Sequence, residues 1–361
     1  MGKILLTIFV LLFLSVRSKS QINEFMPNQS EIKEMNEAIQ ADSNLAKVIS
    51  WYGDPVMQYS NYKRNLFHAD SIWHNAQKML PAMDIGTTNK LEIIPLIDWF
   101  TANDSLIGES GSSYLIKTDD ATILFDLGLN DKQIHPSPLL QNMSYLGIEI
   151  DDIDILVLSH NHNDHVGGTK WYQNNTFSFT NYQMELNGIS VFTPDKMTYP
   201  GLTVNYTPNP TQLAKGVATI GVIHQPVFMT DIKEQALAIN VKNKGIVVLV
   251  GCGHQTMKKI VERTKILFEE PLYGVLGGFH YPIEEKRNIK WIHKYFVVGK
   301  LPWERLTIDD VYANIKLLKS NGVSVVGLSG HDSCDKSIEA FRNEFKESYY
   351  DITVGQKIVI K

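Results

Sequence analysis

The sequence predicts an α/β (α+β) fold: a four-layer αββα sandwich of two facing sheets with helices outside, preceded by an N-terminal helical extension. Three observations predict it. Apolar stretches of strand length recur between Leu91 and Ile360. In the second half they alternate with stretches of helical pattern, after a hairpin-rich opening. Four apolar strands stop in a turn that carries a histidine, at His165, His254, His280 and His331, and most of these turns are flanked by Gly. Ends of adjacent strands converge on one edge of a sheet, and glycine lets the backbone bend there.

Residues 1–20 stand apart from the fold. Lys3 precedes the apolar run Ile4 to Leu14, and small residues, Ser18 and Ser20, sit just before Gln21. That is the layout of a secretory signal. The run is short against the roughly 20 residues of a membrane span, and an uncleaved anchor is the competing reading. No Cys follows it, so a lipoprotein anchor is not expected. The expectation is an exported protein, periplasmic or secreted, with no stable membrane insertion after cleavage.

Residues 21–90 are polar and helix-leaning. Ser30-Glu31-Ile32-Lys33-Glu34 reads as a helix start, with Ser30 capping free N–H groups. Aromatic residues follow at Trp51, Tyr52, Tyr59, Tyr62, Phe67 and Trp73. This is read as an extension packed on the domain that follows, with His68 and His74 in surface or packing roles.

Residues 91–361 form the domain. Leu91 to Ile97 is its first strand. Ser113 to Lys117 and Thr122 to Phe125 follow as a hairpin turned by Thr118-Asp119-Asp120-Ala121. Pro138 to Leu146 is helical. Residues 153–158 form the strand that delivers the first histidines. In the second half the strands are Gln235 to Val241, Ile246 to Val250, Leu272 to Leu276, Val323 to Leu328 and Ile352 to Ile360. The helices are Thr256 to Phe268, Thr307 to Ser320 and Lys336 to Phe345.

Composition narrows the class. The 361 residues are 43% hydrophobic and 20% charged, which is globular and long enough for a large core. A formal charge of -5 lacks the basic excess of a nucleic-acid footprint. Loss of Lys3, Arg17 and Lys19 with the leader would take that -5 to -8. Two cysteines, Cys252 and Cys334, are too few for a disulfide framework. They either pair with each other or stay as two thiols.

The segment Leu158-Ser159-His160-Asn161-His162-Asn163-Asp164-His165-Val166-Gly167-Gly168 carries the chemistry. Three imidazoles and a carboxylate directly follow an apolar strand. This segment resembles, without a mismatch, the His-x-His-x-Asp-His signature of the metallo-β-lactamase superfamily. Further pieces in order resemble one branch of it, the dihydropterin-type ribofuranosyl-aminobenzene phosphate synthases and related metal-dependent hydrolases. They are Gly108 to Ser113, Leu124 to Gly128, Glu234 to Leu237, Gly251-Cys252-Gly253-His254, Gly277-Gly278-Phe279-His280 and Val354-Gly355. Two departures stand out. The branch places Cys directly after its late His, whereas here Asp332 and Ser333 follow His331 and Cys comes at 334. Tyr281 to Leu306 is longer than usual and rich in basic and aromatic residues. It is read either as a lid over the site (residues 281–306) or as a surface helical hairpin.

The resemblance implies two metal ions, zinc by ligand chemistry, with Mn²⁺ or Fe not excluded. His160, His162 and His254 are assigned to the first, and Asp164, His165 and His331 to the second. Cys252 is either a bridging ligand or a small buried thiol behind His254. Asp126 and Glu234 are expected to orient ligands by hydrogen bonds. His280 is assigned to a substrate oxygen or proton, because six ligands already fill two sites, and His224 is read as structural. The expected function is an exported dinuclear metal-dependent hydrolase. It would use a metal-bound hydroxide, oriented by Asp164 and assisted by His280, on a small ester, lactone, lactam or phosphoester. A transferase of the synthase type and a metal-free binding protein are the alternatives. An exported location fits poorly with cytoplasmic pterin synthesis, and the intact motif argues against the metal-free reading. Flavin or diiron relatives replace the second His of the motif with Glu, and here it is His162.

Overall fold

The computed structural model describes residues 24–228 and 230–361, so the leader lies outside the described residues. Ahead of the sheets the described residues include three helices: α1 (Gln29–Ala41), α2 (Ser43–Ser50) and α3 (Pro55–Met79). The cap of α1 is Asn28, not Ser30. Its carboxamide accepts from Ser30 N and Glu31 N, and Glu31 reaches back to Asn28 N at 2.8 Å. Ser30 sits in the first turn instead. Asp42 caps α2 and Asp54 caps α3, where Pro55 occupies a position that needs no N–H donor.

The first sheet runs β15-β1-β2-β3-β4-β5-β6. Its strands are β1 (Leu91–Ile97), β2 (Ser113–Lys117), β3 (Thr122–Phe125), β4 (Ile155–Val157), β5 (Ser190–Thr193), β6 (Val204–Tyr206) and β15 (Ile358–Ile360). The second runs β14-β13-β12-β11-β8-β7. It comprises β7 (Thr211–Ala214), β8 (Val217–Thr219), β11 (Leu237–Val241), β12 (Gly245–Val250), β13 (Leu272–Gly277) and β14 (Val325–Leu328). A separate hairpin pairs β9 (Ile223–Val227) with β10 (Thr230–Glu234). The last strand is shorter than the sequence pattern implied, because Val354 instead donates to the loop carbonyl of Phe100.

Three apolar layers build the sandwich. Between the sheets, Leu91, Tyr114, Ile123 and Val157 meet Leu237, Val247, Leu249 and Leu276. Outside the second sheet lie α6 (Met257–Leu267), α7 (Ile308–Ser320) and α8 (Asp335–Phe345), which bury Ile260, Ile315 and Phe341 on Ala238, Val248 and Val326. Outside the first sheet, α4 (Pro138–Tyr145) buries Leu139 and Met143, and the short α5 (Thr169–Gln173) adds Trp171. Helix α3 docks on α6 through Trp73, whose ring faces Lys259 at 5.5 Å and Arg263 at 4.9 Å.

Strand direction positions the site. β3 and β4 are parallel, as are β12, β13 and β14. β1 runs antiparallel to β2, and β2 to β3, so β1 ends at the same edge as β3. The carboxyl ends of these strands deliver Asp98, Asp126, His160, Cys252, His280 and His331 to one rim. Ligands bind beyond such strand ends in open α/β sheets.

Candidate metal centre

Two groups of donor atoms stand at that rim. His160, His162 and His254 form one, and Asp164, His165, Cys252 and His331 form the other. Within each group the donor atoms all lie within 4.8 Å of one another. The groups abut: the His160 and His165 rings are 4.2 Å apart. Cys252 Sγ sits 3.0 Å from His165 Nε2 and 3.2 Å from His331 Nε2, which makes it a member of the second group, not a thiol hidden behind His254. Its partner in sequence, Cys334, lies at the start of α8 near Ser337, and both are free thiols.

Each of four histidines is held by its Nδ1. His165 Nδ1–H donates to Asp126 at 2.7 Å, and His254 Nδ1–H to Glu234 at 3.0 Å. His160 Nδ1–H donates to Ser159 Oγ at 2.9 Å, and Ser159 donates on to Asp126 at 2.6 Å. His331 uses the same relay, through Ser329 Oγ to Asp98. These partners occupy Nδ1 and leave Nε2 as the nitrogen available to a metal, as outer hydrogen bonds do for metal ligands. His160 Nε2 is buried and has no protein partner. A buried, unpartnered acceptor amid other imidazole nitrogens fits a cation.

The carboxylates are themselves locked. Glu234 accepts backbone N–H groups from Cys252, Gly253 and His254 at 2.7–3.0 Å. Asp126 has φ 65 and accepts Ser159 N at 2.7 Å. Asp98 accepts Trp99 N and Gly330 N at 2.7 and 3.0 Å. Gly251 is required here, because a Cβ would run into Ser159 Oγ.

Burial sets the protonation pattern. It holds the His160 imidazole well below its usual range, aided by its histidine neighbours. Burial likewise holds His162 down to about 4, and His254 and His331 to about 3. His165 is the exception: burial pulls it down, but Asp164 and Asp126 outweigh that and raise it to about 9. Burial pushes Asp98 up to about 6 despite its N–H and O–H donors.

His280 joins the rim differently. Its ring stands 4.8 Å from that of His254, its φ is 55, and its Nε2 meets the Phe296 carbonyl at 3.1 Å. It belongs to neither donor group. His224 lies on β9, paired with Asp231 at 3.1 Å, and also belongs to neither donor group. Residues 281–306 are not a surface helical hairpin. Apart from one short 3₁₀ turn at His293–Tyr295 they are irregular, and they bury Tyr281, Ile289, Tyr295, Val297 and Leu301. They grip the His331 loop: Arg287 donates to Gly330 O and Ser333 O at 2.9 Å, and Asn288 donates to His331 O. Beside His160 and His162 a cavity of about 430 Å³ opens, lined also by Tyr172, Asp195 and Thr230 to Lys233. Asp98, Ser159 and Ser329 escaped the sequence reading. The available signal was a serine one or two residues before a candidate histidine and an acid at the end of β1.

Fold and rim together resemble those of metallo-β-lactamase-type proteins. Residues 106–177 match the model of the metallo-β-lactamase superfamily. It is similar to the Methanocaldococcus jannaschii 7,8-dihydropterin-6-methyl-4-(β-D-ribofuranosyl)-aminobenzene-5'-phosphate synthase, 24% identical over 319 residues, covering 76% of this chain and 99% of that enzyme. Over 91 residues it is 35% identical to the N-acyl homoserine lactonase AiiB of Agrobacterium fabrum, 20% of this chain and 33% of that one. Among solved structures, Tm1679, a metal-dependent hydrolase of the β-lactamase superfamily, aligns with TM-score 0.48 and 20% identity over 74% of this chain and 98% of its own.

Proposed function

We propose that this protein is a dinuclear metal-dependent hydrolase of a small ester, lactone, lactam or phosphoester. The observation that carries the reading is the orientation of four histidines, each tied at Nδ1 so that Nε2 is the nitrogen left for a metal, with His160 Nε2 buried and unpartnered. His160, His162 and His254 would hold one ion, and Asp164, His165, Cys252 and His331 the other. Bound divalent ions supply Lewis acidity toward a carbonyl or phosphoryl oxygen and lower the pKa of water. Zinc suits the imidazole and thiol donors best.

The chain's own groups complete the chemistry. Asp164 is partly open to solvent, with its side chain 26% exposed, and lies 3.7 Å from His165 Nε2. It accepts a hydrogen bond from the attacking water and orients it. His280 offers Nδ1 to a hydroxyl or N–H of the substrate. The cavity of about 430 Å³ falls within the size range of small-molecule sites.

A synthase-type transferase is the second reading, favoured by similarity over 99% of the M. jannaschii enzyme. Metal analysis of the purified protein, then turnover assays on ester, lactone, lactam and phosphodiester substrates, tests the first. Assays that join a dihydropterin to a ribofuranosyl-aminobenzene phosphate test the second. Fewer than two bound ions, or turnover only in the joining reaction, would refute the hydrolase. We further propose export on residues 1–20. The mature chain from its native host should begin at Gln21, and a chain retaining Met1 would refute cleavage.

A further inference from the structure

The extension and residues 281–306 meet at one carboxylate. Asp42 Oδ1 caps α2 through Asn44 N at 3.0 Å and Leu45 N at 3.2 Å. Its Oδ2 accepts the hydroxyl of Tyr295 at 2.7 Å and pairs with Arg305. Tyr295 is fully buried and packs in one cluster with Leu45, Val48 and Ile49 of α2, Tyr59 and Tyr62 of α3, and Phe228. The next residue, Phe296, is clamped as well: its ring lies 6.1 Å from both Tyr52 of the extension and Phe228 of the hairpin.

The Phe296 carbonyl then decides the state of His280. A carbonyl only accepts, so His280 Nε2, 3.1 Å away, must carry the hydrogen. The lone pair is therefore on Nδ1, which is buried and has no protein partner. This polarity is the reverse of the four histidines tied at Nδ1. The backbone is pinned as well: His280 adopts φ 55 and its N–H donates to Asp332 at 2.8 Å.

We propose that Asp42 is a positioning residue for the active site. Through Tyr295 and Phe296 it fixes His280 as the Nε2–H tautomer and presents Nδ1 as the acceptor for a substrate hydroxyl or N–H. The N-terminal extension is thus a working part of the site, acting more than two hundred residues away along the chain. What meets Nδ1 rests on the hydrolase reading, whereas the tautomer does not.

The test uses the full-length, zinc-loaded protein with ¹⁵N-labelled histidine. His280→Gln assigns the ring signals. Tyr295→Phe removes one hydroxyl and leaves the α2 cap and the Arg305 pair in place, and Asp42→Asn weakens all three contacts. Tyr312→Phe, exposed on α7, is the control. Wild type should show the Nε2–H pattern for His280. Tyr295→Phe should shift it toward a mixture, Asp42→Asn should shift it further, and the control should not move it. Metal content should stay at the wild-type level, while kcat on any hydrolysed substrate falls about 10-fold, the low end for loss of an outer hydrogen-bond partner. His280 signals identical to wild type in both variants would overturn the proposal, as would an Nδ1–H pattern in wild type. Shifted signals in a protein that hydrolyses nothing would uphold the positioning role and remove the hydrolase reading.

Discussion

The two donor groups differ in charge, and that difference separates their expected behaviour. His160, His162 and His254 bring three neutral imidazoles. Asp164, His165, Cys252 and His331 bring a carboxylate and a thiol as well. The neutral group is pre-set: burial suppresses protonation of all three rings. The anionic group includes the one imidazole held high, because Asp164 and Asp126 both face His165. A dication in the second group is balanced by ligand charge, whereas one in the first relies on lone pairs alone. Proximity to Asp126 links them, since it serves His165 directly and His160 through Ser159.

The strongest way to break this contrast is Asp164→Ala. It removes the carboxylate that faces solvent beside His165, so the second equivalent of metal and nearly all hydrolytic turnover should be lost. Metal analysis with kcat/KM measures both, and wild-type turnover would refute the role of Asp164. Cys252→Ser should come next. It replaces a soft thiol 3.0 and 3.2 Å from two imidazole nitrogens with a hard hydroxyl. Zinc affinity of the second group should drop, and preference should move toward Mn²⁺. Competition titration with a chromophoric chelator reads this, and unchanged zinc affinity would place Cys252 outside the ligand set.

Hydrogen-bond partners sharpen the contrast further. Of the donor residues, Asp98→Asn reaches only His331, through Ser329, so affinity should fall in the second group alone. Asp126→Asn should weaken both groups. Each loss should be about 10–100-fold, as for other outer carboxylates. Stepwise metal titration by calorimetry separates the two events. Equal effects of Asp98→Asn on both steps would show that the groups are not distinct.

The part of this centre visible in the sequence is the part encoded locally. His160, His162, Asp164 and His165 lie within six residues after a buried strand, and His254, His280 and His331 each follow a strand end with nearby Gly. Ser159 and Ser329 matter only because folding brings Asp126 and Asp98 to their hydroxyls from distant strands. Residues 281–306 have no periodic pattern because Arg287 and Asn288 spend their donors on carbonyls about 43–46 residues away. The strands between 190 and 234 run to only three to five residues, and β6 is largely exposed, so no alternation marks it. Ser30 looked like the first cap only because Asn28, two residues earlier, offers the same chemistry.

The smallest expected effect is on stability of the metal-free protein. An unfolded histidine titrates near 6.5. His162 at about 4, and His254 and His331 at about 3, stay neutral in the fold. Below pH 6.5 the unfolded chain takes up protons that these rings refuse, so stability falls as pH drops from 6.5 toward 4. His165 has the opposite sign. Its value of about 9 contributes stability that is full below 6.5 and is lost as pH rises through 9. Melting temperatures of the stripped protein should therefore decline on both sides of neutrality. The acid limb should be the steeper, because His160 and His280 are held down as well, so at least five rings act there against one. His165→Gln should abolish the alkaline limb and keep the acid limb, made shallower because the His165 charge no longer helps hold His160, His254 and His331 down. An alkaline limb that survives that substitution would mean that Asp164 and Asp126 do not hold a proton on His165.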